Sequence, residues 1–200
     1  CFIEGRGING FKFKKNLILN AGNSGTVGRL ILSLIIKSPY KIKIIGDKSL
    51  SRRDFYRVIK PLNLFGLKIK SKNGKLPIEF QGNDYLTPIT YFEKRGSAQC
   101  KSSVMYAALN TPGVTKIKAK KSRDHTEILF KHLNFPIKIK KSKKFDLIEI
   151  KGLHSYSGFN YRIPSDISSS AFFIVLTLLS KNSKLIIKNV NINETRTGII

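Results

Sequence analysis

Acidic residues are the scarcest resource of this sequence: 12 Asp and Glu stand against 37 Lys and Arg in 200 residues, a formal net charge of +25. Trp is missing altogether, Met occurs once (Met105) and Cys twice, at Cys1 and Cys100. Two cysteines so far apart make neither a disulfide framework nor a metal-spacing motif. Free, buried or half-buried thiols in a reducing cytoplasm are expected, with no metal site and no cofactor. Long apolar runs are missing too. The longest, Val27 to Ile36 and Ala171 to Leu179, fall short of the roughly 20 residues needed to cross a membrane, so no membrane partner is expected. No signal-peptide pattern is present. A first residue that is not Met and a final "ETRTGII" cut off mid-pattern lead us to expect an internal fragment of a longer protein. Its length suits one domain with a real core, or one domain and part of another.

A surplus of this size is the usual footprint of nucleic-acid binding, but its distribution argues otherwise. Only nine of the basic residues are Arg, and many of the Lys alternate with Ile, as in "YKIKII", "LKIKSK", "TKIKAKK" and "PIKIKKSKK". Period-two alternation is the mark of a half-buried strand with Lys on its wet face. There is no basic tail and no aromatic platform of the kind that stacks bases. No nucleic-acid partner is expected, although a positive field draws small anions inward.

The chain repeats itself about every 70 residues. A first unit contains "GNSGTVGRLILSLIIK", the strand "YKIKIIG", the polar lead-in "DKSLSRRDF", a second helix "YRVIKPLNLFG" and the strands "LKIKSK" and "LPIEFQG". The second contains "GSAQCKSSVMYAALN", "VTKIKAK", "KSRDHTE", "ILFKHLNF", "PIKIKK" and "DLIEIKG". A third opens with "PSDISSSAFFIVLTLLS" and "SKLIIKNV" and stops at "NETRTGII". Adding the strands "KNLILNA", "TPITYFE" and "FNYRIP" ahead of the first helices predicts a βαβαββ unit. Each first helix begins in small or polar residues (Asn23 to Thr26, Ser97 to Gln99, Ser165 to Ser169), and each second helix begins beside Arg: Arg52 and Arg53, Arg123, Arg196. Unpaired N–H groups at helix starts together with guanidinium forks suit phosphates and carboxylates. Simple capping accounts for one such start but not for the threefold placement of Arg.

In chain order, "GNSGT…GR", "GDKSLSRR", "LP", "GSAQCKS", "SRDHTE", "PSDISSSAFF" and "NETRTG" resemble the 5-enolpyruvylshikimate-3-phosphate synthase (3-phosphoshikimate 1-carboxyvinyltransferase) family, over residues 17 to 200. The resemblance implies an α/β (α+β) enolpyruvyl transferase fold, an inside-out α/β barrel-like domain of repeated βαβαββ units. It also implies that residues 1–162 form most of one domain and 163–200 the beginning of a second. The implied reaction moves the enolpyruvyl group of phosphoenolpyruvate to the 5-hydroxyl of shikimate 3-phosphate and releases phosphate, in a cytoplasmic, monomeric enzyme. By resemblance, Ser97, Ala98, Gln99 and Arg123 contact shikimate 3-phosphate, while Asn23, Gly25, Arg53 and Gln99 contact phosphoenolpyruvate. Gly25 stands where some glyphosate-tolerant members carry Ala. Most members follow the Arg53 position with Pro, and here Asp54 stands there, free either to weaken anion binding or to pair with Arg52.

The family's Lys-Ser pair and its catalytic Asp and Lys-Glu motifs would lie before Cys1 and beyond Ile200, so this chain alone is expected not to turn over substrate. Asp47, Asp124, Asp166, Glu127 and Glu194 read as caps and Arg partners rather than proton carriers. His125 reads as a helix-start residue; His132 and His154 have no metal or triad spacing. Cys100 has no marks of a nucleophile, and Tyr106, Phe172 and Phe173 read as core. Two rivals remain at this level: the UDP-N-acetylglucosamine enolpyruvyl transferase, which needs a Cys in a Gly-rich loop that is not found here, and a basic nucleic-acid-binding repeat protein.

Overall fold

The structure, a computed structural model, describes residues 3–7, 10–155 and 157–200; the Cys1 thiol lies outside them. The first repeat runs β1 (Leu17–Asn20), α1 (Gly25–Leu34), β2 (Lys41–Ile45), a one-turn α2 (Lys48–Ser51), α3 (Tyr56–Leu64), β3 (Lys68–Ser71) and β4 (Ile78–Gln81). The second runs β5 (Thr90–Glu93), α4 (Ala98–Leu109), β6 (Val114–Lys120), α5 (His125–His132), β7 (Ile137–Lys141) and β8 (Phe145–Lys151). Both make a four-stranded sheet of one topology, β1-β2-β4-β3 and β5-β6-β8-β7. In each, the first pair is parallel and the others antiparallel. A parallel pair needs a long crossover, and α1 and α4 supply it. The expected βαβαββ repeat is therefore what the first two units fold into.

The Lys–Ile alternation does what its period requires. Ile42, Ile44, Ile78 and Phe80 face inward, as do Ile117, Ala119, Ile148 and Ile150, and the intervening Lys43, Glu79, Lys118 and Glu149 lie on the wet faces. One cross-strand ion pair even recurs in register: Lys43–Glu79 and Lys116–Glu149, each at 3.6 Å.

One core serves both repeats, joining Leu32, Ile36, Phe55 and Phe65 of the first to Val104, Met105, Phe130 and Ile148 of the second. Its centre is α4, buried on every side and packed on α1, α3, β6 and β8. Ser103, Ala107 and Ala108 keep this helix thin enough for its neighbours to approach. Helices inside and sheets outside make the "inside-out" arrangement, and it sets the starts of α1 and α4 side by side.

The chain divides into two compact units, residues 1–122 with 126–156, and 123–125 with 157–200. The second holds α6 (Ile167–Leu179), capped by Asp166, which accepts from the Ser168 N–H. Here the sequence expectation needs correcting. The strands expected at 159–164 and 183–190 reduce to one parallel bridge, Ser165 to Val190, and 193–198 forms turns rather than a helix start. In the other repeats the second strand is held from both sides, whereas no antiparallel partner lies beside 183–190 among the described residues. Phe172 and Phe173, expected in the core, are 80% and 61% exposed, because among the described residues no sheet covers this face of α6. Among the described residues, no helix is long and apolar enough to cross a membrane.

Candidate active site

Each helix start is built by a local device. Ser24 caps α1 by accepting from the Val27 N–H at 3.1 Å, and Ser97 caps α4 by accepting from the Cys100 N–H at 3.3 Å. Ahead of Ser97, the buried Glu93 carboxylate accepts from the backbone N–H groups of Arg95, Gly96 and Ser97 at 3.0, 2.7 and 3.0 Å. Gly96 sits at φ +70°, a left-handed turn that favours glycine. Asp47 caps α2 through the Leu50 N–H at 2.7 Å, which sends the chain on to Arg52 and Arg53.

Two guanidinium groups converge on the start of α1. A methyl group placed on Gly25 would lie 2.9 Å from Arg29 Nη1 and 3.3 Å from Arg53 Nη1, so only glycine leaves both cations in place. Arg53 Nη2 donates to Asn23 Oδ1 at 3.2 Å. Arg29, 6% exposed, donates from Nη1 to Gln99 Oε1 at 2.6 Å and from Nη2 to the Asp54 carbonyl at 3.3 Å, and its guanidinium lies over the Phe55 ring. Burial, followed by the neighbouring Arg57, lowers the Arg29 pKa. Gln99 Nε2 donates to Thr26 Oγ1 at 2.9 Å, closing the link between α4 and α1. The Asp54 carboxylate lies 3.3 Å from Arg95 and 3.8 Å from Arg57, and it accepts from the Tyr56 N–H at 2.7 Å. Its ion-pair partners are thus Arg57 and Arg95.

Asn23, Gly25, Arg53 and Gln99 come together in this way, with Ser97 and Ala98 as the cap and first residue of α4. Arg123, just before α5, groups with the second compact unit. In that unit the Asp166 carboxylate accepts from Ser168 N and Ser169 Oγ and pairs with Arg196 at 2.9 Å. The Ser168 N–H, first among these, holds its pKa below the ordinary value. Asp124 accepts from Asn193 Nδ2 at 2.8 Å and from Thr195 Oγ1. His125 is pushed below its ordinary value by burial and then by Arg196. Glu127 pairs at 2.5 Å with Lys101 instead of an Arg, and both are buried. Burial pushes the Cys100 thiol up, as befits an inert core cysteine.

The sequence reading missed Arg29, Glu93 and Arg95 as site-building residues. Arg29 had a signal, as the one charge inside the apolar run from Val27 to Ile36. Glu93 had none, since its partners are backbone groups. Two helix N-termini, two guanidinium groups and an amide facing one region are suited to small, multiply charged anions.

Comparison with known proteins gives a family. The family model of EPSP synthase (3-phosphoshikimate 1-carboxyvinyltransferase) matches residues 1–200. The chain is 38% identical over 201 residues to the 3-phosphoshikimate 1-carboxyvinyltransferase of Enterococcus faecalis, covering 99% of this chain and 46% of that protein. Against the protein of the same name from Vesicomyosocius okutanii it is 42% identical over 200 residues, covering 99% and 45%. Among solved structures, EPSP synthase from Acinetobacter baumannii superposes with a TM-score of 0.82 at 34% identity, over 98% of this chain and 43% of that one. The chain spans under half the length of these relatives. A family match along its whole length and a shared fold make this chain a member of the EPSP synthase (3-phosphoshikimate 1-carboxyvinyltransferase) family.

Proposed function

We propose that this chain supplies one substrate-binding half of an enzyme that transfers the enolpyruvyl group of phosphoenolpyruvate to the 5-hydroxyl of shikimate 3-phosphate. The observation that carries the reading is the convergence of Arg53 and the Gln99 amide, the latter bonded to Arg29, on the N-terminus of α1. Two multiply charged anions repel each other, and a preorganised cationic cleft offsets that repulsion before the chemistry begins. The 5-hydroxyl oxygen adds to the enol carbon while the methylene carbon gains a proton; the tetrahedral adduct then expels phosphate and gives the proton back. Positioned acid and base groups carry this traffic, and on this reading they come from outside residues 1–200, so the chain alone binds but does not turn over. Ser97, Ala98, Gln99 and Arg123 hold shikimate 3-phosphate, and Asn23, Gly25, Arg53 and Gln99 hold phosphoenolpyruvate. The enzyme acts in the cytoplasm, as a monomer and without a cofactor.

Titration of the intact enzyme with shikimate 3-phosphate in a calorimeter tests the reading. Gln99→Ala and Arg123→Ala are each expected to cost about 1.5–3 kcal/mol of binding, the worth of one hydrogen bond to a charged group. Absence of shikimate 3-phosphate binding, with salt-sensitive DNA binding in its place, would hand the assignment to a basic nucleic-acid-binding protein.

A further inference from the structure

Gln99 can meet an anion in two ways, and they have opposite signs. Its amide carries two donors on Nε2 and an acceptor at Oε1. Turned outward, the N–H end attracts a phosphate or carboxylate, and the carbonyl end repels it. A glutamine on a helix start, with three rotatable bonds, has no intrinsic reason to choose.

The surroundings choose for it. A guanidinium has five donors and no acceptor, so the group facing Arg29 Nη1 at 2.6 Å has to be Oε1. The Thr26 hydroxyl, able to accept, then takes one Nε2 hydrogen at 2.9 Å. What remains outward is the second N–H, on a half-buried side chain beside the starts of both α1 and α4. Arg29 is itself held firmly. It is 6% exposed, bonded to the Asp54 carbonyl and laid over the Phe55 ring at 5.2 Å, all within the first repeat. An orienting element built into one repeat therefore acts on an amide carried by the next.

We propose that Arg29 is a positioning residue that, with Thr26, fixes the Gln99 amide so that anionic substrates meet its N–H end and never its carbonyl. The inference rests on the reading of Gln99 as a substrate contact. Arg29 acts through Gln99, and its worth is conditional on an amide at position 99.

A double-mutant cycle on the intact enzyme tests this, with the dissociation constant for shikimate 3-phosphate as readout and thermal melting as the check on folding. Arg29→Met is expected to weaken binding about 10-fold or more in the wild-type background, the scale of a charge-assisted hydrogen bond. In a Gln99→Ala background the same change is expected to shift binding by less than about 3-fold, because nothing is left to orient. Arg29→Lys, which retains a donor toward Oε1, is expected to recover part of the loss. Gln99→Glu is expected to bind more weakly than Gln99→Ala, since it keeps the Arg29 contact but turns only acceptors outward. Should Arg29→Met compromise folding, Thr26→Val on the exposed side of the clamp takes its place in the cycle, with the same conditional behaviour expected. Equal losses in both backgrounds would overturn the positioning role while leaving Gln99 a substrate contact. A Gln99→Ala variant that binds like wild type would instead overturn the contact reading itself.

Discussion

Gly25 shows how much a single missing methyl group can matter. The start of α1 brings two guanidinium groups to within 3.3 Å of where its Cβ would stand. Arg53 is exposed but Arg29 is buried and bonded, so Gly25→Ala is expected to lower the melting temperature modestly as well as pushing Arg29 or Arg53 off its present contacts. Affinity for phosphoenolpyruvate, measured by calorimetry, is expected to fall several-fold, in keeping with the loss of part of one charge-assisted bond. Asp54 is the other telling residue. It stands where most of the family has Pro, and the carboxylate is engaged by Arg57, Arg95 and the Tyr56 N–H. Arg53 therefore keeps Asn23 as its partner and its position at Gly25. The alternatives left open by the sequence did not include this outcome, because Arg95 lies 41 residues away in the second repeat.

Among the elements, α4 carries the most. It is buried all round, yet it includes Lys101, whose ammonium meets Glu127 of α5 at 2.5 Å with side-chain exposures of 0% and 5%. Desolvating two charges is costly, and leaving one behind without the other costs more. Glu127→Gln is expected to destabilise the protein by about 3–5 kcal/mol, read by denaturant unfolding, since it takes the carboxylate away from a buried ammonium. Replacing both partners, Lys101→Met with Glu127→Leu, is expected to recover most of that loss; a double variant as unstable as Glu127→Gln would show that the pair does more than neutralise itself. The strands were easier to foresee than this clamp. Lys–Ile alternation writes β2, β3, β6 and β7 directly into the sequence, whereas α4, with Lys101, Ser102 and Ser103 on buried faces, has no amphipathic stripe to announce how deeply it lies.

For the molecule as a whole, the proposal is that residues 1–162 are most of one domain and that 163–200 open another. The stretch from Gly152 to Pro164 has no helix or strand in its described residues, and contact density is concentrated in the sheets and helices before it. Limited proteolysis is expected to cut within 152–164 first and to leave a resistant core holding both four-stranded sheets; early cleavage inside either sheet would count against this division. Charge is spread in the same spirit. The Lys surplus lines the wet faces of both sheets, while the Arg residues that matter gather at the helix starts. A net charge of +25 thus describes the surface and says little about the site.

Local chemistry was enough to determine the first two repeats, their strands, the caps at Asp47 and Asp166, and the family, because each depends on residues a few positions apart or on motifs in fixed order. Contacts that join one repeat to the other were decided by tertiary structure alone: Arg29 to Gln99 across 70 positions, Gln99 to Thr26 across 73, and Asp54 to Arg95 across 41. No period or propensity encodes such pairings. They follow from packing α4 against α1 and α3, which sets two helix N-termini together and leaves the side chains at that seam to sort donors from acceptors. The same reason explains the failure at α6. Its sequence reads as core, but a helix is buried only where other elements are present to cover it.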